Sequence, residues 1–393
     1  MDLLLTGGRV VTPAGVIDPG AVAVTAGRIV FAGPAEAVDG VGPGSGRLDV
    51  SGQTVFPGFI DLHAHGGGGG DAVTGSTESL GRMAAFLAAN GTTGFLGTTM
   101  TLPLEMIGRA LSAMAGFQGT QGPSPATARL LGAHLEGPFI NPARKGAQKA
   151  EFVRPPSVSE AAALLEAHPG LVRQMTVAPE LAGGLELVRL LHSRGVAASI
   201  GHSDATYEEA RAAFAAGVTH ASHTYSAMRG LHHRDPGTVG AVFLTPGVTA
   251  EVIADGVHAH PAAVEILIRL KGPAGVALVT DAITFAGMPD GAYDVMGVPI
   301  LVERGAAFLP DGQTLAGSTL TMARAVWNIM AFTGVSLTAA AEMASLTPAR
   351  TLGLDRDYGS IEPGKVADLA VLGAEGRPAV TVIGGRVVWR KED

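Results

Sequence analysis

Cysteine is absent from this chain of 393 residues. Without thiols there is no disulfide framework and no thiolate chemistry, so any metal ion must be bound by histidine and carboxylate side chains. Basic residues are also few, because 27 Lys and Arg stand against 35 Asp and Glu, a formal charge of −8. A nucleic-acid surface needs a basic stripe, so we expect no nucleic-acid partner.

Long apolar segments are missing as well. Charged residues, glycine or proline interrupt every apolar run before it reaches the roughly 20 residues that cross a bilayer, so we expect no membrane partner. The first residues, Met1 to Leu5, contain no basic stretch ahead of an apolar core, and we expect no signal peptide. These absences favour a cytoplasmic protein, and the length allows one barrel-sized domain with a small second one.

The middle of the chain alternates β-prone runs with helical patterns, for example over 79–90, 159–167, 185–193 and 207–216. Such alternation is typical of βαβ units and a parallel sheet. Eight units over roughly 300 residues predict an α/β fold, a (β/α)8 TIM-type barrel over 53–356. An open, doubly wound sheet is the alternative, but the first βα turn lacks the Gly-x-Gly-x-x-Gly pattern. The predicted strands are 54–62, 93–99, 129–135, 172–178, 196–201, 218–223, 249–254 and 276–281.

The two ends of the chain share a different sequence pattern, in which short β-prone runs are separated by glycine-containing turns. Leu3-Leu4-Leu5 and Ala21-Val22-Ala23-Val24 show it at the start, and Arg386-Val387-Val388-Trp389 shows it at the end. Runs of this kind predict antiparallel strands. We therefore expect a small β-sandwich domain built from both chain termini, over 1–52 and 357–393.

The segment Asp61-Leu62-His63-Ala64-His65 follows an apolar, β-prone run that ends at Ile60. Residues at i and i+2 of a strand point to the same face, so His63 and His65 present two imidazoles side by side. Five glycines, Gly66 to Gly70, follow and allow a tight turn or a close approach to a ligand. Taken alone, the pair could be two partly exposed histidines. A metal-binding interpretation of the pair is favoured because other predicted strands also end in polar residues.

Polar side chains end several of the predicted barrel strands. The C-terminal ends of barrel strands form the active-site face, so these side chains are expected at one mouth. Histidine and carboxylate form the ligand set for Zn²⁺, Fe²⁺ or similar ions, which lower the pKa of bound water towards about 7. This predicts a metal-dependent hydrolase. The residues are His63, His65, Glu136, His202, His223 and Asp281, with Asp255 and His258 after the seventh strand.

Each of these residues has a simpler interpretation when it is taken alone. A single strand-end histidine is more often solvated than metal-bound, and Asp281 could cap the segment that follows it. Independent accidents would scatter such residues over both ends of the strands, so the joint arrangement favours the metal site. The histidines in helix or loop context are interpreted as surface residues, namely His168, His192, His232 and His260.

The motifs match those of a known family. The chain resembles the N-acetylglucosamine-6-phosphate deacetylases of the amidohydrolase superfamily over essentially its whole length. The specific motifs are His134-Leu135-Glu136-Gly137-Pro138-Phe139 and the Ser226-Ala227-Met228 that comes shortly after His223. The closing segment 359–369 is shared by the wider superfamily. Other matching stretches are 57–66, 201–203, 220–228, 254–258, 280–282 and 315–318.

The resemblance implies a barrel with a small β domain and a divalent metal centre. It implies that Glu136, His202 and His223 bind one ion. Members that keep the His-x-His pair hold a second ion, so His63 and His65 make two ions plausible, with Glu136 bridging them. Zinc is the ion expected first, and iron, manganese and cobalt are the alternatives.

The resemblance also implies a proton carrier and substrate contacts. Asp281 matches the catalytic acid and base. Arg234 matches a phosphate-binding arginine that in this family can reach across a dimer interface, which implies a homodimer. Ser226 stands where many members have Asn and Gln148 where many have His, and these departures leave the exact sugar open. The implied substrate contacts are Ala147, Gln148, Ser226, Ala227, Arg234, His258, Leu315, Ala316 and Gly317.

The expected activity is the deacetylation of N-acetyl-D-glucosamine 6-phosphate to D-glucosamine 6-phosphate and acetate, a step of amino-sugar catabolism. A hydrolase for another N-acetylhexosamine, phosphorylated or free, or for another small amide is the alternative. A non-catalytic protein that binds sugar phosphate is a third interpretation. The intact Asp281 argues against it, because a binding protein has no use for an acid and base.

Overall fold

Residues 2–38 and 46–392 are described by a computed structural model of the chain. Residues 1, 39–45 and 393 of the predicted β domain lie outside the described residues. In chain order the strands are β1 Leu3–Thr12, β2 Gly15–Thr25, β3 Arg28–Pro34, β4 Gly46–Asp49, β5 Thr54–Pro57, β6 Phe59–Ala64, β7 Gly66–Gly67, β8 Gly70–Asp71, β9 Thr92–Thr99, β10 Arg129–Glu136, β11 Val172–Val177, β12 Ala197–Ile200, β13 Val218–Ala221, β14 Thr249–Ile253, β15 Val276–Val279, β16 Gly291–Val295, β17 Val298–Glu303, β18 Ala306–Phe308, β19 Leu315–Ser318, β20 Leu369–Leu372, β21 Pro378–Ile383 and β22 Arg386–Arg390.

Helices alternate with the middle strands, and side chains cap several of them. Ser76 accepts a hydrogen bond from the backbone of Ser79, and Thr206 forms a capping box with Glu209. The four predicted helices are found, and no described helix is long and apolar enough to cross a bilayer. In chain order the helices are α1 Thr77–Ala89, α2 Leu104–Thr120, α3 Val158–Ala167, α4 Gly184–Ser193, α5 Tyr207–Ala216, α6 Gly237–Leu244, α7 Pro261–Lys271, α8 Met322–Thr333, α9 Leu337–Ala341 and α10 Thr347–Thr351, with a π-helical turn at Glu342–Leu346.

Eight parallel strands form the barrel, in the sequential order β6, β9, β10, β11, β12, β13, β14 and β15. Hydrogen bonding closes the ring between the last strand and the first. The N–H of Asp281 donates to the carbonyl oxygen of His63 at 2.8 Å, and Ala64 pairs with Ala282. A helix follows each strand, and strands and helices share one hydrophobic core. The predicted (β/α)8 barrel is confirmed.

The first predicted strand, 54–62, is wrong in one respect. Thr54–Pro57 is a separate strand, β5, that pairs with β1 and β20 of the terminal sheet. The N–H of Gly58 still donates to the carbonyl oxygen of Asp368, next to β20, at 2.8 Å, and the barrel strand β6 begins one residue later, at Phe59. The predicted domain bounds stay a prediction.

The two ends of the chain form one small β domain. Its strands lie in the order β22, β21, β20, β5, β1, β2 and β3, with β4 paired to β1. Leu5 and Val22 from one end share a buried core with Leu369 and Val382 from the other. The small β domain predicted from both termini is confirmed, and its strands surround that core as one continuous sheet.

An antiparallel sheet of four strands, β16 to β19, is inserted between β15 and α8 and was not predicted. Ile300 and Val302 of this sheet are buried together with Ile283 and Phe285 of the segment after β15. The insertion therefore stands beside the end of the last barrel strand, where the strand-end residues lie.

Candidate active site

Five barrel strands, β6, β10, β12, β13 and β15, deliver polar side chains to the C-terminal mouth of the barrel. Each of these residues is buried, with at most 8% of its surface exposed. The structure brings together the six residues that the sequence analysis placed at strand ends. They are His63, His65, Glu136, His202, His223 and Asp281.

Glu136 lies at the centre of the cluster, and four imidazoles direct their Nε2 atoms at its carboxylate. Its Oε1 is 2.9 Å from His223, 3.1 Å from His202 and 3.3 Å from His63. Its Oε2 is 3.4 Å from Nε2 of His65. The carboxylate therefore lies between the two pairs of histidines, as a bridging ligand would.

The second ring nitrogen, Nδ1, of each of the four imidazoles also has a hydrogen-bond partner. His63 directs it at the carboxylate of Glu251, at 3.0 Å. When Nδ1 donates its proton in this way, Nε2 presents its lone pair to the centre of the cluster. The other three histidines use backbone carbonyl oxygens: His65 that of Thr98 at 3.2 Å, His202 that of Arg144 at 2.8 Å and His223 that of Ser226 at 3.2 Å.

The charges of the cluster shift its pKa values. Burial alone would raise the pKa of Glu136, but the neighbouring His202 and His63 hold it well below its usual range. Burial opposes protonation of His65, yet Asp281 and Glu136 raise the pKa of that imidazole to about 9. The buried carboxylates thus stabilise positive charge at this point, which either protons or a cation can supply.

Asp281 lies beside His63 and His65. Burial alone would raise the pKa of Asp281, but the hydrogen bond from His65 and the nearby His63 lower it to about 2. Asp281 has a φ of 51°, His202 of 46° and His223 of 29°. Residues other than glycine seldom adopt this left-handed region, and such strained positions concentrate at functional sites.

The glycine run turns the chain sharply after His65. A Cβ atom at Gly66 would lie 2.5 Å from the carbonyl oxygen of Gly70 and 2.6 Å from the backbone nitrogen of Thr284. The N–H of Gly66 also donates to Ala282 at 2.8 Å. The close approach expected at these glycines is therefore made by backbone, next to the seam between the first and last barrel strands.

The donor set fits a divalent cation. Nε2 of His63 is buried and, although it lies 3.3 Å from Oε1 of Glu136, it makes no hydrogen bond within the described residues, whereas buried polar atoms are normally paired. Ligand atoms of His63, Glu136 and His223 lie within 4.8 Å of one another, and so do those of His63, His65 and Asp281. Imidazole and carboxylate donors suit Zn²⁺ and related ions. These side chains can hold a divalent metal.

A cavity of about 460 Å³ opens above the cluster. His258 lines it and directs Nδ1 at Asp255, 2.7 Å away. Arg234 lies in an exposed loop and does not line the cavity of its own chain. The other implied substrate contacts do line it: Ala147, Gln148, Ser226, Ala227, Leu315, Ala316 and Gly317.

Gln148 is directed at the cluster, and only 6% of the residue is exposed. Its side-chain nitrogen donates to Oε2 of Glu136 at 2.6 Å, and its oxygen accepts from the backbone of Thr101 at 3.0 Å. These two contacts fix the orientation of the amide. Gln148 therefore holds the central carboxylate at the same time as it borders the cavity.

The sequence analysis missed two groups of residues at the site. Glu251 on β14 and Gln174 on β11 lie inside the barrel, with Oε1 of Glu251 2.5 Å from Nε2 of Gln174. The sequence did contain a signal for this pair: an acidic residue and an amide residue in the middle of apolar strands. Such residues are seldom buried without a partner. The second group is the apolar cavity wall of the inserted sheet, with Val295, Val298 and Ile300.

Comparison with known proteins identifies the family. Residues 54–388 match the family model described as "Amidohydrolase family". The chain belongs to the amidohydrolase family. As a member it is a hydrolytic enzyme that acts on a carbon–nitrogen amide bond.

Individual relatives show which members of the family this chain is similar to. The chain is 36% identical over 389 residues to the N-acetylglucosamine-6-phosphate deacetylase of Bacillus subtilis (strain 168), covering 99% of this chain and 97% of the relative. It is 40% identical over 320 residues to the N-acetylgalactosamine-6-phosphate deacetylase of Escherichia coli O157:H7, covering 81% and 84%. A mutant N-acetyl-D-glucosamine-6-phosphate deacetylase from Mycobacterium smegmatis, solved in complex with N-acetyl-D-glucosamine-6-phosphate, superposes with a TM-score of 0.91 at 33% identity, covering 98% and 99%. The resemblance stated from the motifs is confirmed.

Proposed function

We propose that the protein hydrolyses N-acetyl-D-glucosamine 6-phosphate to D-glucosamine 6-phosphate and acetate, in amino-sugar catabolism. The observation that carries the proposal is the convergence of four imidazoles on Glu136, with Asp281 beside His65, at the cavity that Glu136 and Asp281 line. It is supported by the relatives, which are named for this reaction on two closely related sugars.

The metal centre we propose has two parts. Glu136, His202 and His223 would hold one divalent ion, and His63 with His65 would hold a second that shares Glu136. We propose zinc, because all four neutral donors are imidazole nitrogens. A bound divalent ion supplies Lewis acidity, which polarises a carbonyl group and lowers the pKa of water in contact with it.

Asp281 carries the proton in the proposed reaction. Its carboxylate accepts a proton from the water that attacks the acetyl carbonyl carbon. It returns that proton to the amine nitrogen as the carbon–nitrogen bond breaks, because an amide anion is a very poor leaving group. The oxygen of the water leaves in acetate, and the nitrogen leaves in the amino sugar.

The rest of the cavity would bind the sugar phosphate. His258 and the segment Leu315-Ala316-Gly317 line the cavity and are proposed to contact the sugar. Arg234 would bind the phosphate of a substrate held by a second copy of the chain, because it lies outside the cavity of its own subunit. We therefore propose that the enzyme works as a homodimer, in the cytoplasm.

N-acetyl-D-galactosamine 6-phosphate is the second candidate substrate. It is favoured by the relative from Escherichia coli, which is named for that sugar and shares 40% identity. Ser226 and Gln148, which depart from the usual family residues, both border the cavity. The two candidates share the same bond cleavage and differ in the sugar.

An assay of acetate release separates the candidates. The zinc-loaded enzyme is given N-acetylglucosamine, N-acetylgalactosamine and N-acetylmannosamine, each with and without a 6-phosphate, and kcat/KM is compared. The proposal expects the highest value with N-acetylglucosamine 6-phosphate. A higher value with the galactosamine ester selects the second candidate, and equal values for free and phosphorylated sugars exclude both.

A further inference from the structure

We propose that Glu251 is a positioning residue that fixes the imidazole of His63 and thereby sets the affinity of the His63–His65 pair for a divalent cation. The inference rests on the metal centre proposed above. It assigns a role to a strand, β14, whose side chains provide none of the ligands described for that centre.

The geometry ties Glu251 to two members of the cluster at once. Oε2 lies 3.0 Å from Nδ1 of His63 and 3.3 Å from the backbone nitrogen of His223. Oε1 accepts a hydrogen bond from Nε2 of Gln174 at 2.5 Å. Its backbone carbonyl oxygen accepts from Thr224 at 2.8 Å. The side chain of Glu251 therefore holds the ring of His63 and the backbone of His223, and its backbone holds the neighbouring Thr224.

The partner of His63 differs in kind from the partners of the other three imidazoles. His65, His202 and His223 direct Nδ1 at neutral backbone carbonyl oxygens, whereas His63 directs it at a carboxylate. A carboxylate on Nδ1 strengthens the hydrogen bond and makes Nε2 a better donor to a metal. It also selects the tautomer whose Nε2 lone pair faces Glu136.

The complete burial of Glu251 supports a role for its contact with His63. None of its surface is exposed, and among the described residues its one ion-pair partner is His63. A buried carboxylate without a lysine or arginine partner is costly, because it loses its hydration. Fold stability alone would favour an apolar residue at this position of β14, so the carboxylate is explained by its effect on His63.

Glu251→Gln tests the inference, because it keeps the shape and removes the charge. Zn²⁺ affinity is measured by competition with a chromophoric chelator, and bound metal is counted by elemental analysis. We expect roughly 10- to 100-fold weaker binding at the His63–His65 pair, as for loss of a hydrogen-bond partner behind a metal ligand. Ser199→Ala is the matched control, because Ser199 is equally buried in the barrel and bonds to Ser222 instead of a ligand.

A double-mutant cycle shows whether Glu251 acts through His63. In a His63→Ala background, Glu251→Gln should weaken Zn²⁺ binding no further, since the ring that it positions is gone. Full additivity of the two changes, or wild-type affinity in Glu251→Gln, overturns the inference. If His63→Ala itself binds Zn²⁺ with wild-type affinity and stoichiometry, the metal centre is wrong instead.

A proton signal gives a readout that is independent of metal and of activity. An imidazole N–H that donates to a carboxylate resonates far downfield in the proton NMR spectrum of the intact protein. The wild type should show such a signal for His63, absent from both Glu251→Gln and His63→Ala. The pair His258–Asp255 provides a second signal that both variants keep, and its survival shows that the fold is intact. Persistence of the His63 signal in Glu251→Gln contradicts the assignment.

Discussion

Oδ1 of Asp281 lies 3.1 Å from Nε2 of His65, and the backbone N–H of Asp281 donates to His63 of β6, the strand that ends just before His65. The carboxylate is thus held by the first strand of the barrel although it follows the last. It reaches the centre of the cluster without being needed to complete the group formed by Glu136, His202 and His223. The proposed proton transfer and the proposed metal binding can therefore be tested separately by mutation.

Asp281→Asn keeps the shape of the side chain and cannot carry a proton. We expect kcat to fall by roughly 10²–10⁴, with a much smaller change in KM, because the change affects proton transfer and not contacts made in both states. Steady-state acetate release and metal analysis of the same preparation check this. A variant that keeps its metal and more than about a tenth of the wild-type kcat would assign the proton to another group, with His258 the next candidate.

Glu136→Gln should lose bound metal and activity together, because an amide donates more weakly to a cation that a carboxylate helps to neutralise. Metal content per chain and acetate release are measured on the same sample. Exposed Glu105→Gln is the control and should match the wild type in both. The double variant His63→Ala and His65→Ala should keep the ion held by Glu136, His202 and His223. A fully metallated and active Glu136→Gln enzyme would refute the site.

Arg234→Ala should raise KM for a phosphorylated sugar by roughly 10- to 100-fold, as for loss of a charge-assisted contact worth about 1.5–3 kcal/mol. The unphosphorylated sugar should be nearly unaffected. Arg304→Ala removes another exposed arginine and serves as the control. Equal losses with both sugars would make Arg234 a structural residue. Activity restored by mixing Arg234→Ala with Asp281→Asn would show that the arginine serves the partner subunit.

The free energy of unfolding should depend on pH through the titration of the buried His220. Burial lowers the pKa of His220 to about 4, against about 6.5 for an unfolded chain. The folded protein resists protonation, so the stability linked to this group is present above pH 6.5 and is lost as the pH falls towards 4. At pH 5 the loss is about 2 kcal/mol.

His220→Gln removes the titration and keeps a polar side chain, so its Tm should fall less than that of the wild type between pH 7 and pH 5. His192→Gln is the control, because His192 is exposed, as predicted, and the variant should follow the wild type. Metal release at low pH affects all three proteins, and the comparison between them removes it. An identical fall in all three proteins would show that His220 titrates normally in the folded state.

The barrel and its six central residues were predictable because each signal is local. A β-prone run gives a strand, and the residue just after it must lie at the C-terminal mouth. The positions of His63, Glu136 and Asp281 followed from this local signal, and their joint arrangement at several strand ends favoured a site. The resemblance added roles to residues that their positions alone left open, such as Arg234.

The parts that escaped prediction depend on contacts between distant segments. Thr54–Pro57 has the same apolar character as β6, and its pairing with β20 decides that it belongs to the terminal sheet. Glu251 and Gln174 are separated by 77 positions in the chain. Their burial is accounted for only when β11 and β14 are strands of one barrel, because each then provides the hydrogen-bond partner of the other. The wall formed by β16 to β19 has short, mixed strands that no periodic pattern marks.

The seam where Asp281 bonds to His63 joins residues 218 positions apart (281 − 63). A partly folded chain that lacks its last strand has His63 and His65 and still lacks Asp281 beside them. With Asp281 as the proposed proton carrier, we expect hydrolysis to begin only after the final strand has docked, so that the return of activity during refolding reports closure of the ring.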